Sequence, residues 1–181
     1  GNMKKLRHVA AQIGEEAALF GVELRRDEEV WQWGNLELLY DHSASGDFDL
    51  AYEAGMFTQG NPVVNDILVN AAAEAAAAGG AKTALELHAG IGNLSIPMAR
   101  AVLDVYATEI SRRACTFGAR NAKSAGAEVT FACVADEEAV DDASDRDVLV
   151  MDPPRSGAKG VCQTVARPGN GPQRVVYVSC D

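Results

Sequence analysis

Apolar residues in the second part of the chain come in short, nearly unbroken runs separated by helical stretches. Five such runs are Thr83-Ala-Leu-Glu-Leu-His, Asp104-Val-Tyr-Ala-Thr-Glu, Val129-Thr-Phe-Ala-Cys-Val, Asp147-Val-Leu-Val-Met-Asp and Arg174-Val-Val-Tyr-Val-Ser. Their length and their β-branched and aromatic content predict strands, and the lack of apolar–polar alternation predicts burial on both faces. Between them lie helix signals. Asn61-Pro62 offers a cap followed by proline in the first turn, opening an alanine-rich helix over 62–78 that stops at Gly79-Gly80. Leu94-Ser-Ile-Pro-Met-Ala-Arg-Ala follows the first strand, and Ser111 caps a helix running to about Ala125, with Gly126 as its stop signal. Strands alternating with helices predict an α/β fold, a doubly wound, mostly parallel Rossmann-like sheet in the order 3-2-1-4-5.

Residues 1–57 read differently. Apolar–polar alternation in Asn35-Leu-Glu-Leu-Leu and Phe48-Asp-Leu-Ala-Tyr, and the pair Trp31-Gln-Trp33, predict short antiparallel strands with a helix over 15–20. The expected organisation is a small β-rich appendage, residues 1–57, joined to an α/β domain over 58–181.

Composition narrows the class. With 181 residues, 48% of them hydrophobic, the chain can bury a core. No apolar run is long enough to span a bilayer, and Gly-Asn-Met-Lys-Lys at the start lacks the apolar segment of a signal peptide, so a cytoplasmic, membrane-free protein is the expectation. A net charge of −10 argues against a free-standing nucleic-acid binder. The acidic stretch from Asp136 to Asp147 reads as a solvated surface loop. The cysteines, Cys115, Cys133, Cys162 and Cys180, form no Cys-x-x-Cys pair and have no histidine at zinc spacing, so neither a metal site nor an iron–sulfur cluster is expected. Nothing in the pattern fixes an oligomeric state.

Two motifs carry chemistry. Gly90-Ile-Gly92 lies between a strand and a helix, and Glu109 ends the next strand about 20 residues on, the spacing at which a carboxylate meets ribose hydroxyls. The plain alternative is a tight turn with an exposed glutamate. The third glycine of the dinucleotide signature is absent, and Glu86 places a second carboxylate near the loop. That charge repels a pyrophosphate and suits a cation, which favours S-adenosylmethionine with its sulfonium and ammonium. The second motif, Asp152-Pro-Pro-Arg155, ends the fourth strand and holds an aspartate at the carboxyl edge of the sheet, where such folds bind ligands. Asp-Pro-Pro also resembles the amino-methyltransferases, although these carry an aromatic residue where Arg155 stands.

Taken together, Met56-Phe-Thr-Gln-Gly-Asn61, Leu85-Glu-Leu-His-Ala-Gly-Ile-Gly-Asn93, Glu109, Asn121-Ala122, Asp152-Pro-Pro-Arg-Ser-Gly157 and Val176-Tyr-Val-Ser-Cys180 resemble, in order, the RNA (uracil-5-)-methyltransferases. The resemblance implies a cofactor, S-adenosylmethionine, and a substrate, a uridine of tRNA or rRNA. It implies that Gln59, His88, Gly90, Asn93, Glu109 and Asp152 line the cofactor site, with Asp152 also reaching the target base, and that Cys180 is the nucleophile. Thiolate addition to C6 of uracil makes C5 nucleophilic toward the sulfonium methyl, and a base then removes the C5 proton so that the cysteine can leave. The target base must be unstacked for sulfur to reach C6. The sequence departs from the pattern at His88, usually Tyr or Phe, and at Asp181, where Asn-Pro is usual. The family's general-base glutamate and its RNA-binding barrel lie outside residues 1–181, so an incomplete catalytic core is expected. A cofactor-binding remnant without turnover, or an amino- or cytosine-directed nucleic-acid methyltransferase, are the competing readings.

Overall fold

The computed structural model describes the chain except residues 1–2, 19–20, 27–28, 42–47, 102 and 180–181 and the side chains of residues 39–41. Two compact units emerge, one formed by Gly1–Leu39 with Tyr52–Met56 and the other by Tyr40–Ala51 with Phe57–Asp181. The first holds helix α1 (Met3–Glu16) and an antiparallel hairpin of β1 (Gly21–Arg26) and β2 (Glu29–Gly34). The helix predicted over 15–20 is displaced: α1 ends where it was expected to begin. Its inward positions, Met3, Ala10 and Gly14, include two small residues that sequence pattern reads weakly. Gly14 is small because the ring of Trp33 lies on it, leaving no room for a Cβ. Strands β3 (Glu37–Asp41) and β4 (Asp49–Glu53) form a second two-stranded sheet, as the alternation predicts.

The larger unit is the expected α/β fold. In chain order its elements are α2 (Pro62–Ala77), β5 (Thr83–Leu87), α3 (Ser95–Arg100), β6 (Asp104–Thr108), α4 (Arg112–Ser124), β7 (Val129–Ala132), α5 (Asp136–Ala139), β8 (Val148–Met151), α6 (Lys159–Val165) and β9 (Arg174–Tyr177). The sheet runs β7-β6-β5-β8-β9 and every pairing is parallel, the order predicted from the sequence. Asn61 and Ser111 cap α2 and α4, their side chains accepting from the amides of Val64 and Ala114.

Each face of the sheet has its own apolar layer. Ala84, Val105, Ala107, Val148 and Val150 meet Val69, Ala72, Ala73 and Ala76, an i, i+3, i+4, i+7 stripe of α2. Small residues in that stripe let α2 approach the strands closely. On the opposite face Leu85, Leu87, Leu149 and Met151 pack on Ala139, Val140, Ala143, Ala158 and Val161. The acidic stretch is therefore not a solvated loop. It forms α5 and a 3-10 segment, Val140–Asp145, whose Ala139, Val140 and Ala143 enter the core while acidic side chains between them face outward. Asp147 accepts hydrogen bonds from the amides of Lys82 (2.7 Å) and Thr83 (3.0 Å), which ties β8 to the start of β5 and holds its carboxyl below the usual carboxylate range.

Asn121 makes a longer-range lock. Its Oδ1 accepts from the Ala51 amide at 3.0 Å, and its Nδ2 donates to the carbonyls of Ala51 (3.0 Å) and Ile91 (2.9 Å). Asn121, Ala51 and Ile91 are all buried. Asn121→Ala would strand three backbone groups away from water. It is expected to destabilise this unit by about 2–4 kcal/mol, measured as a lower urea midpoint.

Candidate functional site

Parallel sheets bind ligands where strands end at their carboxyl edge. There the chain leaves β5 through His88, whose φ of +59° lies in the left-handed region, and enters the glycine turn. Gly90 (φ +57°) and Gly92 (φ +97°) supply further left-handed positions, so the backbone doubles back before α3. The Ala89 amide donates to the Thr108 carbonyl at 3.0 Å and fixes the turn against β6.

A cleft opens over this turn, lined by Phe57, Gln59, Glu86, His88, Gly90, Asn93 and Asp152 among others. Its volume is about 90 Å³, below the roughly 300 Å³ of a typical ligand pocket. It fits the polar end of a ligand whose remainder extends outside. Five of the positions predicted from sequence thus converge: Gln59, His88, Gly90, Asn93 and Asp152. Gln59 reaches Asp152 through Nε2–Oδ2 at 3.4 Å. Asn93 is held by a reciprocal pair of amide hydrogen bonds to buried Asn65, each 2.9 Å. Glu109 lies outside the lining. Its carboxylate accepts from the amides of Gly90 (3.0 Å) and Ser111 (2.7 Å), clasping the glycine turn to the start of α4. Cys180 lies outside the described residues.

Glu86 was read from the sequence as a second carboxylate near the loop but not as a buried one, and Asn65 and Asp136 were not among the predicted site positions. Glu86 is only 2% exposed. Its lateral neighbours in the sheet are Ala107 and Val150, which offer its carboxyl nothing. Its Oε2 and the nearby Ser95 Oγ, both buried, make no hydrogen bond among the described residues. Burial pushes the Glu86 carboxyl up to about 8, opposed by the Ser95 hydroxyl and reinforced by the charges of Asp152 and Glu109. Asp152 is raised as well, by burial, with His88 pulling the other way. His88 Nδ1 lies 3.2 Å from Asp136 Oδ2, while its Nε2 is buried without a partner among the described residues. Burial raises the Asp136 carboxyl against the opposing effect of His88. The burial on both faces expected of the run over residues 83–88 could have marked Glu86 as a buried carboxyl. The contact of His88 with a residue in an acidic stretch had no local signal.

Among the described residues, no group of histidine, cysteine and acidic side chains could hold a metal ion, and no helix is long and apolar enough to cross a membrane. Cys115 is buried in α4, where burial raises its thiol. Cys133 is half-buried just beyond β7, its Sγ 3.5 Å from the Ile110 carbonyl, and Cys162 is exposed on α6.

A sequence profile described as tRNA (Uracil-5-)-methyltransferase matches residues 43–147. The chain belongs to that family. It is 37% identical over 156 residues to a protein described as an uncharacterised RNA methyltransferase of Halalkalibacterium halodurans, a match covering 82% of this chain and 33% of the relative. It is 35% identical over 139 residues to a 23S rRNA (uracil(1939)-C(5))-methyltransferase of Alkalilimnicola ehrlichii, covering 72% and 30%. The chain thus spans about a third of the length of these curated relatives. In fold it is similar to the Pyrococcus abyssi tRNA (uracil-54, C5)-methyltransferase solved with S-adenosyl-L-homocysteine, with a TM-score of 0.72 at 22% identity over 90% of this chain and 41% of that one.

The raised Glu86 sets a pH dependence in this family member. Between about pH 4.5 and 8 the folded state holds a proton that the unfolded state releases, so stability falls as pH rises through that window and the penalty is complete above it. Glu86→Gln is expected to leave stability at pH 4 nearly unchanged and to raise it at pH 8.5 by on the order of 4–5 kcal/mol, read from urea unfolding at both pH values. Equal effects at the two pH values would contradict this assignment.

Proposed function

We propose that this chain binds S-adenosylmethionine in the cleft at the ends of β5 and β8 and contributes the core of a uridine C5 methyltransferase acting on tRNA or rRNA. In this reading residues 58–181 form the methyltransferase domain and residues 1–57 a connecting appendage. The observation that carries the reading is the buried carboxyl of Glu86, without a full set of partners, opening with Asp152 into a cleft at a glycine turn. An unsatisfied buried acid is costly unless a ligand meets it, and the complement of these acids is a cation. Gln59, His88, Gly90 and Asn93 would hold the rest of the cofactor's polar end. Glu109 would exchange one backbone amide for a ribose hydroxyl.

When bound, S-adenosylmethionine would supply a methyl group on a positively charged sulfur. The chain would supply the nucleophile: the Cys180 thiolate adds to C6 of the uracil ring, which makes C5 electron-rich. Loss of the C5 proton to a base afterwards returns the electrons and releases the thiolate. Support comes from family membership, from relatives named as RNA methyltransferases, and from the placement of β9, which ends three residues before Cys180 at the same sheet edge as Asp152.

Binding of a cation should ionise Glu86. Calorimetry near pH 7 in buffers of different ionisation enthalpy is expected to show proton release on S-adenosylmethionine binding. Glu86→Gln should abolish that release and weaken binding by about 1.5–3 kcal/mol, whereas an unchanged affinity would rule Glu86 out as the counter-charge.

The nucleophile is tested separately. Fluorine at C5 cannot leave as a proton, so RNA containing 5-fluorouridine should remain joined to the protein once the ring has been methylated. A denaturation-resistant complex is expected with Cys180 present and lost in Cys180→Ala. Trapping that persists in Cys180→Ala would assign the role to another residue.

A further inference from the structure

A second cavity adjoins the carboxyl edge of β8 and β9, lined by Pro153, Pro154, Arg155, Gly157, Tyr177, Val178 and Ser179. At about 360 Å³ it is larger than the cleft over the glycine turn and shares none of its lining residues. Its walls have two unusual members. Arg155 is exposed and makes no ion pair or hydrogen bond among the described residues. In a chain with 26 acidic and 16 basic residues, a guanidinium that meets no carboxylate among the described residues is conspicuous. Tyr177 is 43% exposed although it stands in a strand. Its hydroxyl sits close to Gly157: a Cβ there would lie 3.7 Å from it. Gly157 (φ +73°) closes a turn in which its amide donates to the Pro154 carbonyl at 2.8 Å. The Pro-Pro segment and this turn set one wall of the cavity, and β9 sets the other.

An exposed planar cation and an exposed aromatic ring on one cavity are complementary to a nucleotide. The guanidinium matches a phosphate in bidentate geometry, and aromatic rings stack on unpaired bases. We propose that this cavity is a nucleotide subsite, Arg155 holding a phosphate and Tyr177 packing against a base or sugar of single-stranded RNA. The proposal rests on the reading that RNA is the substrate, and it adds a contact outside both the cofactor cleft and the nucleophile.

The test needs no turnover and no cofactor. Uridine 5′-monophosphate, uridine and inorganic phosphate are titrated into the 181-residue chain by ligand-observed NMR, and S-adenosylhomocysteine is titrated into the same samples by calorimetry. The nucleotide is expected to bind at least about tenfold tighter than the nucleoside. Arg155→Ala should remove that advantage, Arg155→Lys should restore part of it, and Tyr177→Leu should weaken nucleotide and nucleoside alike. S-adenosylhomocysteine affinity should be the same in all these variants, which also shows that they fold. The proposal is overturned if the nucleotide does not saturate at millimolar concentration, if Arg155→Ala binds it as the parent chain does, or if inorganic phosphate binds as tightly as the nucleotide, the mark of a simple anion site. Loss of S-adenosylhomocysteine binding by the parent chain would instead sink the functional reading, so the two failures are distinguishable.

Discussion

A carboxyl group in the middle strand of a parallel sheet is the constraint on which the site depends. Strand β5 is covered on both faces and paired on both edges, so any side chain on it lies in an apolar surrounding. Glu86 is one residue from the strand end, between Ala107 and Val150. There it can stay neutral or meet a counter-charge, but it cannot be hydrated in place. A chain selected for stability alone would put an apolar residue there. The apolar layers of α2 and of the segment after α5 offset the cost, and strain at His88 adds to it. Both costs fall at the one sheet edge where the chain also turns through glycines.

The groups that fix the surrounding loops follow from this charge balance. At the far end of β5, away from the cleft, the lock is an ionised carboxylate, Asp147, stabilised by backbone amides. Around the cleft the locks are mostly neutral amides: Asn121 on Ala51 and Ile91, and Asn65 on Asn93. An amide satisfies a buried backbone group without adding charge. Another carboxylate would push Glu86 and Asp152 higher still, as the charge of Glu109 already does to Glu86. Glu109 is tolerable because two backbone amides satisfy it at the rim.

The sheet was legible from sequence because its signals are local. Each strand is a contiguous apolar run, each crossover has a cap or a glycine stop, and Asn61 and Ser111 do what their positions suggest. The site was legible as far as it is carried by turns and strand ends, which brought Gln59, His88, Gly90, Asn93 and Asp152 together. What escaped was non-local or carried by small residues. Helix α1 turns inward on Ala10 and Gly14, while its larger apolar residues Leu6, Val9 and Ile13 stay exposed, so its apolar pattern points the wrong way. The acidic stretch hid three core residues among its charges. The contact between His88 and Asp136, and the bridge from Asn121 to Ala51, join residues far apart in the chain and have no signature within a short window.

In the proposed reading, one edge of one sheet must satisfy opposite electrostatic demands. A cationic cofactor calls for the carboxyls of Glu86 and Asp152, whereas RNA calls for positive charge, in a chain whose net charge is −10. Were Arg155 free to fold back on Asp152, three residues earlier, the two charges would cancel and neither ligand would be served. Pro153 and Pro154 stand between them. Each proline fixes its φ near −65° and constrains the residue before it, so the connection has few conformations available. The two side chains do not pair: Asp152 lines the cleft with Glu86, and Arg155 lines the neighbouring cavity with Tyr177. The prolines therefore do more than end a strand. They keep an acid and a base apart within four residues, so a cleft lined by carboxyls and a cavity lined by a guanidinium adjoin at the end of β8.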